Sequence, residues 1–224
     1  MNAMKFTVLV AVLGSLLVPT GCLIRDPFTD SLPDPPSSES LPSLPARPSL
    51  DVLVFGDWGT GEEGQVEMAA AMASAHASAP PAFVLTVGDN FYPDGVGGVE
   101  DPLWRTHFED VYTGPFWDRM SFQAILGNHD YHGDPDAQVA YSQVSPRWIM
   151  PQRYYALERE IPGGGPALFL ALDTEPMERG DSTAERQLEW ADSLLSGTSA
   201  EWVVVGGHHP VMTGGWHGPD RSVQ

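Results

Sequence analysis

Short apolar runs alternate with longer segments of helical character from about Leu50 onwards. Val52–Phe55 and Phe83–Val87 are continuous runs of apolar or β-branched residues, which is typical of strands buried on both faces. We predict further strands at residues 122–126, 154–158, 167–172 and 202–205. Strands that alternate with helical segments predict an α/β layered architecture.

Two of the intervening segments are predicted as helices. Each is preceded by a Ser or Thr with a Glu three positions later, which is the spacing of a capping box; the pairs are Thr60 with Glu63, and Ser182 with Glu185. The first helix is rich in alanine and is expected to reach about Ala77. The second is expected to bury one apolar face, which consists of Leu188, Ala191 and Leu195.

Four of the apolar runs end in a glycine followed by a side chain that can bind a metal ion. The four pairs are Gly56-Asp57, Gly88-Asp89, Gly127-Asn128 and Gly207-His208. Glycine allows the chain to turn sharply as it leaves the strand. Because binding sites of open α/β sheets collect where the strands end, we expect these side chains to lie close together.

The candidate ligands are carboxylate, phenolate, amide and imidazole groups, without a thiolate: Asp57, Asp89, Tyr92, Asn128 and His208. Such a set favours iron, manganese or zinc. Asp89 and Tyr92 share one short loop and can approach a common ion. Since a free tyrosine has a pKa of about 10, a phenolate near neutral pH requires a strong Lewis acid, which indicates Fe(III). Singly, each residue is more typical of a turn or of the core, so the prediction rests on their joint occurrence.

The first residues predict an export signal. The uncharged apolar run Phe6–Val18 follows Lys5 and is short for a membrane span. Cys22, the only cysteine, stands behind Gly21 as at a bacterial lipoprotein cleavage site, although such sites usually carry Leu where this chain has Pro19. An ordinary signal peptide is the alternative. We expect an exported protein that is periplasmic or at the cell surface, and that is anchored by lipid if Cys22 is modified. The expected organisation is a signal peptide at 1–22, a Pro/Ser-rich linker at 23–49 and a folded domain at 50–224.

The charge of the chain limits its partners. Lys and Arg number 11 against 30 Asp and Glu, a formal net charge of -19. This balance excludes the clustered basic surface that nucleic-acid binding requires. An acidic protein also repels phosphate compounds at long range. Phosphate chemistry would therefore need a strong local positive charge, which a metal cluster supplies.

Four motifs resemble those of the calcineurin-like metallophosphoesterases: Gly56–Gly59, Gly88–Tyr92, Gly127–Asp130 and Gly207–Pro210. The tyrosine of the second motif narrows the resemblance to the purple acid phosphatases. The stretches Ala137–Ser142, Arg147-Trp148 and Tyr154-Tyr155 are similar to the tartrate-resistant, animal-type branch. The resemblance implies an α/β fold, a four-layer αββα sandwich, in which the last part of the second sheet is missing from this chain.

The resemblance also implies a binuclear metal centre. Asp57 and Tyr92 would bind Fe(III), and Asp89 would bridge both ions. Asn128 and His208 would bind a divalent partner, which is Fe(II), Zn(II) or Mn(II). The implied reaction is hydrolysis of small phosphate monoesters, with a metal-bound hydroxide as the nucleophile.

Two histidines are implied to serve the substrate rather than the metals. His129 would face the phosphate, and His217 matches a second substrate-facing histidine of the animal enzymes. Either would donate a proton to the leaving alcohol. Asp130 either orients a neighbouring group or serves in a turn.

The chain departs from the family pattern near its end, where a later Gly-His-x-His motif would complete the metal site. No such motif is present, so we expect a truncated sequence. Two further functions stay open, and the missing motif favours the second of them. One is a phosphodiesterase on the same scaffold, and the other is a surface lipoprotein that binds metal or phosphate without turnover.

Overall fold

The computed structural model describes residues 49–211, so the predicted signal peptide with Cys22, and His217, lie outside the described residues. The strands are β1 (Val52–Phe55), β2 (Phe83–Val87), β3 (Phe122–Ile125), β4 (Trp148–Ile149), β5 (Tyr155–Glu160), β6 (Pro166–Ala171) and β7 (Trp202–Gly206). The α-helices are α1 (Glu63–Ala75), α2 (Pro135–Tyr141), α3 (Glu175–Glu178) and α4 (Thr183–Gly197). A π-helix spans Trp104–Glu109, and 3₁₀ turns span Trp117–Arg119 and Asp130–His132. Within this part of the chain, no helix combines the length and the apolar character needed to cross a membrane.

The strands form two sheets. The first has the order β1-β2-β3-β4 with all neighbours parallel, and the second has the order β5-β6-β7, antiparallel and then parallel. The six predicted strands are confirmed with small shifts at their ends, whereas the two-residue β4 was not predicted.

Strand β6 shows how the layers pack, because successive side chains of a strand point to opposite faces. Phe169 belongs to the main core and meets Phe83 of the first sheet, with ring centroids 5.3 Å apart. Leu168 and Leu170 form a second cluster with Ala191 of α4. The second sheet is thus packed between the first sheet and α4.

The opposite face of the first sheet is covered by aromatic side chains and α1. Phe55 packs against Trp58, Tyr112 and Phe122. The backbone carbonyl of Ala69 in α1 accepts a hydrogen bond from the Trp117 indole at 3.2 Å. The observed fold is therefore the predicted mixed α/β sandwich, with a parallel sheet packed on a second sheet.

The predicted capping boxes are both wrong. Thr60 precedes the first helix and accepts instead from the backbone N–H of Glu62, at 3.2 Å. Ser182 stands directly before α4, but its backbone is already helical and its side chain makes no cap bond. Capping by a side chain requires extended backbone at that residue. Asp181 accepts from the backbone N–H of Thr183 at 2.8 Å in its place.

The predicted buried face of α4 is also wrong at one position. Leu188 is 51% exposed, whereas its neighbour Gln187 is buried. The Gln187 side chain accepts from the backbone N–H of Asp173 and donates to the Asp173 carbonyl, both at 2.7 Å. A buried amide with both partners satisfied is tolerated in the interior. The helix therefore turns Gln187, rather than Leu188, towards the second sheet.

Candidate metal centre

The first two ligand candidates lie where neighbouring parallel strands end. Asp57 follows β1 and Asp89 follows β2, and both have left-handed backbone, with φ of 55° and 50°. Aspartate tolerates this conformation better than most residues. The two loops are tied together, because the backbone N–H of Asp57 donates to the Gly88 carbonyl at 3.0 Å. The parallel pairing thus brings both carboxylates to one edge of the sheet.

Tyr92 joins the two carboxylates. Its phenol oxygen lies 3.0 Å from Asp57 Oδ1 and 2.8 Å from Asp89 Oδ2. Burial, the hydrogen bond to Asp89 and the negative charge of both aspartates raise the pKa of Tyr92 well above its ordinary value. The phenol therefore keeps its proton between two acceptors, in a place that a cation could take.

His208 presents a lone pair to the other side of the site. Its Nδ1 lies 2.9 Å from the Val87 carbonyl, and because a carbonyl only accepts, Nδ1 carries the hydrogen. In a neutral ring Nε2 is then an acceptor. It faces Asn128 Oδ1 at 3.0 Å and Asp89 Oδ1 at 3.5 Å. Three groups that can offer lone pairs converge here, which is an arrangement that a cation would satisfy.

Asp89 lies between these two sets of ligands. Its Oδ2 accepts from the Tyr92 hydroxyl, while its Oδ1 faces His208 and accepts from the backbone N–H of His129 at 2.9 Å. Ligand atoms of Asp57, Asp89 and His208 all lie within 4.8 Å of one another. Among residues 49–211, neither the Asp57 nor the Asp89 carboxylate forms an ion pair with an arginine. The donor set therefore fits cations that share Asp89.

Two glycines of the motifs are required by close approach. A Cβ on Gly88 would lie 2.6 Å from the His208 ring, and the φ of this glycine is +95°. A Cβ on Gly127 would lie 2.2 Å from the backbone nitrogen of Asp89 and 2.3 Å from its Oδ1. Both distances are shorter than van der Waals contact, so the glycines let the ligand loops meet.

Asp130 joins the loops, a role that sequence reasoning left open. It is fully buried, and its carboxylate accepts from the backbone N–H groups of Asn90 (3.1 Å), Phe91 (3.2 Å) and Gly127 (2.8 Å) and from Gln138 Nε2 (2.8 Å). Burial raises the pKa of Asp130 to about 6, although these hydrogen bonds act in the opposite direction. The carboxylate holds the loop after β2 against the loop after β3.

His129 stands beside the ligands in a fixed orientation. Its Nδ1 lies 2.6 Å from the Pro93 carbonyl and therefore carries a hydrogen, which leaves Nε2 for other contacts. The ring packs against Tyr92, with centroids 4.6 Å apart. His209, in contrast, contacts Thr174 at 2.8 Å and Glu175 at 3.3 Å, so it belongs to a neighbouring network.

Candidate metal ligands at the ends of parallel strands define a candidate metal site on a mixed α/β fold. Residues 50–224 match the model of the calcineurin-like phosphoesterases, and the chain belongs to that family. It is 34% identical over 198 residues to tartrate-resistant acid phosphatase type 5 of Sus scrofa, covering 79% of this chain and 58% of the relative. For the Homo sapiens protein of the same name the identity is 34% over 200 residues, covering 80% and 61%.

Two further proteins are similar to this chain at lower sequence identity. Purple acid phosphatase 7 of Arabidopsis thaliana is 31% identical over 194 residues, covering 78% of this chain and 58% of the relative. A solved structure described as "GAP50 the anchor in the inner membrane complex of Plasmodium" superposes with a TM-score of 0.64 at 27% identity, covering 76% of this chain and 58% of that one. The chain thus spans about three-fifths of the length of these relatives. The resemblance to purple acid phosphatases is confirmed.

Proposed function

We propose that this protein hydrolyses phosphate monoesters at a binuclear centre that holds Fe(III) and a divalent ion, which is Fe(II), Zn(II) or Mn(II). The observation that carries the proposal is the position of Asp89, with one carboxylate oxygen towards each ligand set. The similarity to proteins named acid phosphatases supports the choice of reaction.

The two ligand sets differ in charge. Asp57 and Tyr92 would offer anionic oxygens, which suit a trivalent ion, whereas Asn128 and His208 offer neutral donors, which suit a divalent one. When bound, the ions would supply the positive charge that attracts a phosphate and would activate water for attack on phosphorus. A cation beside Tyr92 would also oppose the burial and negative charge that now hold its proton.

His129 is the group that would handle the proton of the leaving alcohol. The Pro93 carbonyl fixes the ring through Nδ1, so a proton on Nε2 could be donated from a defined position. General acid help of this kind typically contributes about 10²–10⁴-fold. We propose the same substrate-facing role for His217.

Fold alone does not decide between catalysis and binding, and the structural neighbour is described as an anchor. The test is an assay of an aryl phosphate monoester against a bis-aryl diester, with wild-type protein and the Asp89→Asn and His129→Ala variants. Monoester turnover that falls in both variants supports the proposal. Faster diester turnover would indicate a phosphodiesterase. Bound metal without any turnover would indicate a binding protein and contradict the proposal.

The proposed location rests on the apolar run Phe6–Val18 and on Cys22. We propose that the protein is exported and that a lipid on Cys22 tethers it to a membrane. Fractionation of cells expressing wild-type protein and Cys22→Ser should place wild type with membranes and release the variant. Wild-type protein in the cytosol with its N-terminus uncleaved would contradict the proposal.

A further inference from the structure

The loop that carries His208 rests on the segment that follows β6. The backbone N–H of Leu172 donates to the carbonyl of Gly206, the last residue of β7, at 2.8 Å. A Cβ on Gly207 would lie 2.7 Å from Cγ2 of Thr174, so Thr174 packs directly against the backbone beside His208. The neighbouring parallel strands β6 and β7 therefore end in loops that touch each other.

His209 is held by the segment after β6 at its backbone and at its ring. Thr174 Oγ1 accepts from the backbone N–H of His209 at 3.2 Å and lies 2.8 Å from His209 Nδ1. On the other side of the ring, Nε2 lies 3.3 Å from Oε2 of Glu175. The Glu175 carboxylate is buried, and its Oε1 pairs with Arg179 at 2.6 Å. Because a buried carboxylate is costly unless it is compensated, the His209 imidazole and Glu175 stabilise each other's positions.

His208 has one anchoring hydrogen bond of its own, from Nδ1 to the Val87 carbonyl at 2.9 Å. One hydrogen bond does not by itself fix the place of an imidazole ring. The His209 ring packs against that of His208, with centroids 5.2 Å apart and planes at 79°. The two residues are also consecutive, so the backbone N–H that Thr174 accepts belongs to the peptide unit that follows His208.

We propose that His209 is a positioning residue for the metal centre, held in place by Thr174 and Glu175. It fixes the neighbouring His208 so that Nε2 of that ring points at the divalent ion. This role depends on the binuclear centre of the proposed function. Groups that orient a metal ligand typically change metal affinity by about 10–100-fold when they are removed.

The effect should be confined to one of the two ions. Asp57 and Tyr92, the ligands proposed for Fe(III), come from the loops after β1 and β2. His208 belongs to the other ligand set, with Asn128. Loss of the contacts to His209 should therefore weaken the divalent site and spare the trivalent one.

The side chain of Thr174 separates positioning from packing. Thr174→Val keeps the shape and the methyl group but removes the hydroxyl, whereas Thr174→Ser keeps the hydroxyl and removes the methyl group. Protein loaded with Fe(III) is titrated with Zn(II) in competition with a chromophoric chelator. We expect the Kd for Zn(II) to rise about tenfold or more in Thr174→Val and to stay close to that of wild type in Thr174→Ser. The iron content, measured by inductively coupled plasma mass spectrometry, should be the same in all three proteins.

Thr198→Val is the matched control. Thr198 Oγ1 also accepts a backbone N–H, that of Ala200 at 3.1 Å, but it lies directly after α4. The Kd of this variant should equal that of wild type. Glu175→Gln keeps the size of the side chain and removes the charge beside His209, so it should also raise the Kd for Zn(II), and it decides if Thr174→Val fails to fold.

The outcomes separate this proposal from the proposed function. Unchanged Zn(II) affinity in Thr174→Val and Glu175→Gln would overturn the positioning role and leave the binuclear centre intact. A larger rise in Kd for Thr174→Ser than for Thr174→Val would assign Thr174 to packing and overturn the role as well. Wild-type protein that binds neither iron nor Zn(II) would overturn both.

Discussion

Asp89 and Asp130 are buried aspartates in adjoining loops, yet their surroundings differ in kind. The Asp130 carboxylate accepts hydrogen bonds from N–H groups of Asn90, Phe91, Gly127 and Gln138. Asp89 accepts one backbone N–H and otherwise faces another carboxylate, a phenol and the lone pair of an imidazole. A carboxylate whose neighbours are donors maintains the fold. One whose neighbours are other acceptors and acids is arranged for a cation.

The largest expected effect is on catalysis. Asp89→Asn keeps a side chain that tolerates the φ of 50° but removes the charge shared by the two ligand sets. We expect phosphomonoesterase activity to fall at least about a thousandfold, because metal ions supply several kcal/mol of transition-state stabilisation. The measurement is the initial rate on an aryl monoester.

Asp94→Asn is the matched control for that variant, since Asp94 lies in the same loop with its side chain 75% exposed. Its activity should equal that of the wild type. Full activity in Asp89→Asn would show that Asp89 is a structural residue like Asp130 and would contradict its proposed role as a shared metal ligand.

The next effect is on folding. Asp130→Ala leaves three buried backbone N–H groups and the Gln138 amide without their acceptor. We expect a loss of about 3 kcal/mol or more in the free energy of unfolding. Urea denaturation of metal-free protein measures it, with Asp89→Asn expected to change by no more than about 1 kcal/mol. Similar losses in both variants would remove the distinction between the two aspartates.

The same contrast between satisfied and unsatisfied polar groups extends to α4. Gln187→Ala removes both hydrogen bonds to the Asp173 backbone and leaves a cavity, so we expect a loss of about 2 kcal/mol. Leu188→Ala, at the neighbouring exposed position, should change stability by no more than about 0.5 kcal/mol. Thermal denaturation of the two variants compares them. A larger loss of stability for Leu188→Ala than for Gln187→Ala would indicate that the buried face of α4 is the one predicted from apolar periodicity.

The last expected effect is a pH dependence of stability. The pKa of Asp130 is raised to about 6 in the folded protein from 3.8. Between about pH 4 and pH 6 the folded state binds a proton that the unfolded state has released, so this residue lowers stability as pH rises, by about 1 kcal/mol per unit. Asp130→Asn should lack this component of the slope. If the free energy of unfolding had the same slope against pH in the wild type and the variant, a contribution of Asp130 would be excluded.

The strands and the ligand positions were predictable because their signals are local. Each apolar run ends in its own Gly-X pair, and parallel pairing then gathers the ends of β1, β2 and β3 at one edge. The structure brings Asp57, Asp89, Tyr92, Asn128 and His208 together as expected. Their binding of metal stays a prediction.

The features that sequence reasoning missed depend on distant partners. Gln187 is buried because the Asp173 backbone, 14 positions away, satisfies its amide. Asp130 joins loops because its donors come from Asn90 and Phe91, 40 and 39 positions earlier. None of these pairings leaves a periodic or spacing signal in the chain.

The most direct test counts metal ions. Metal-free protein is loaded with iron and with zinc or manganese, desalted, and analysed by inductively coupled plasma mass spectrometry. We expect two ions per wild-type chain, equal retention by Asp94→Asn, and the loss of at least one ion in Asp89→Asn. A wild-type chain that retains no metal, or an Asp89→Asn variant that retains both ions, would contradict this expectation.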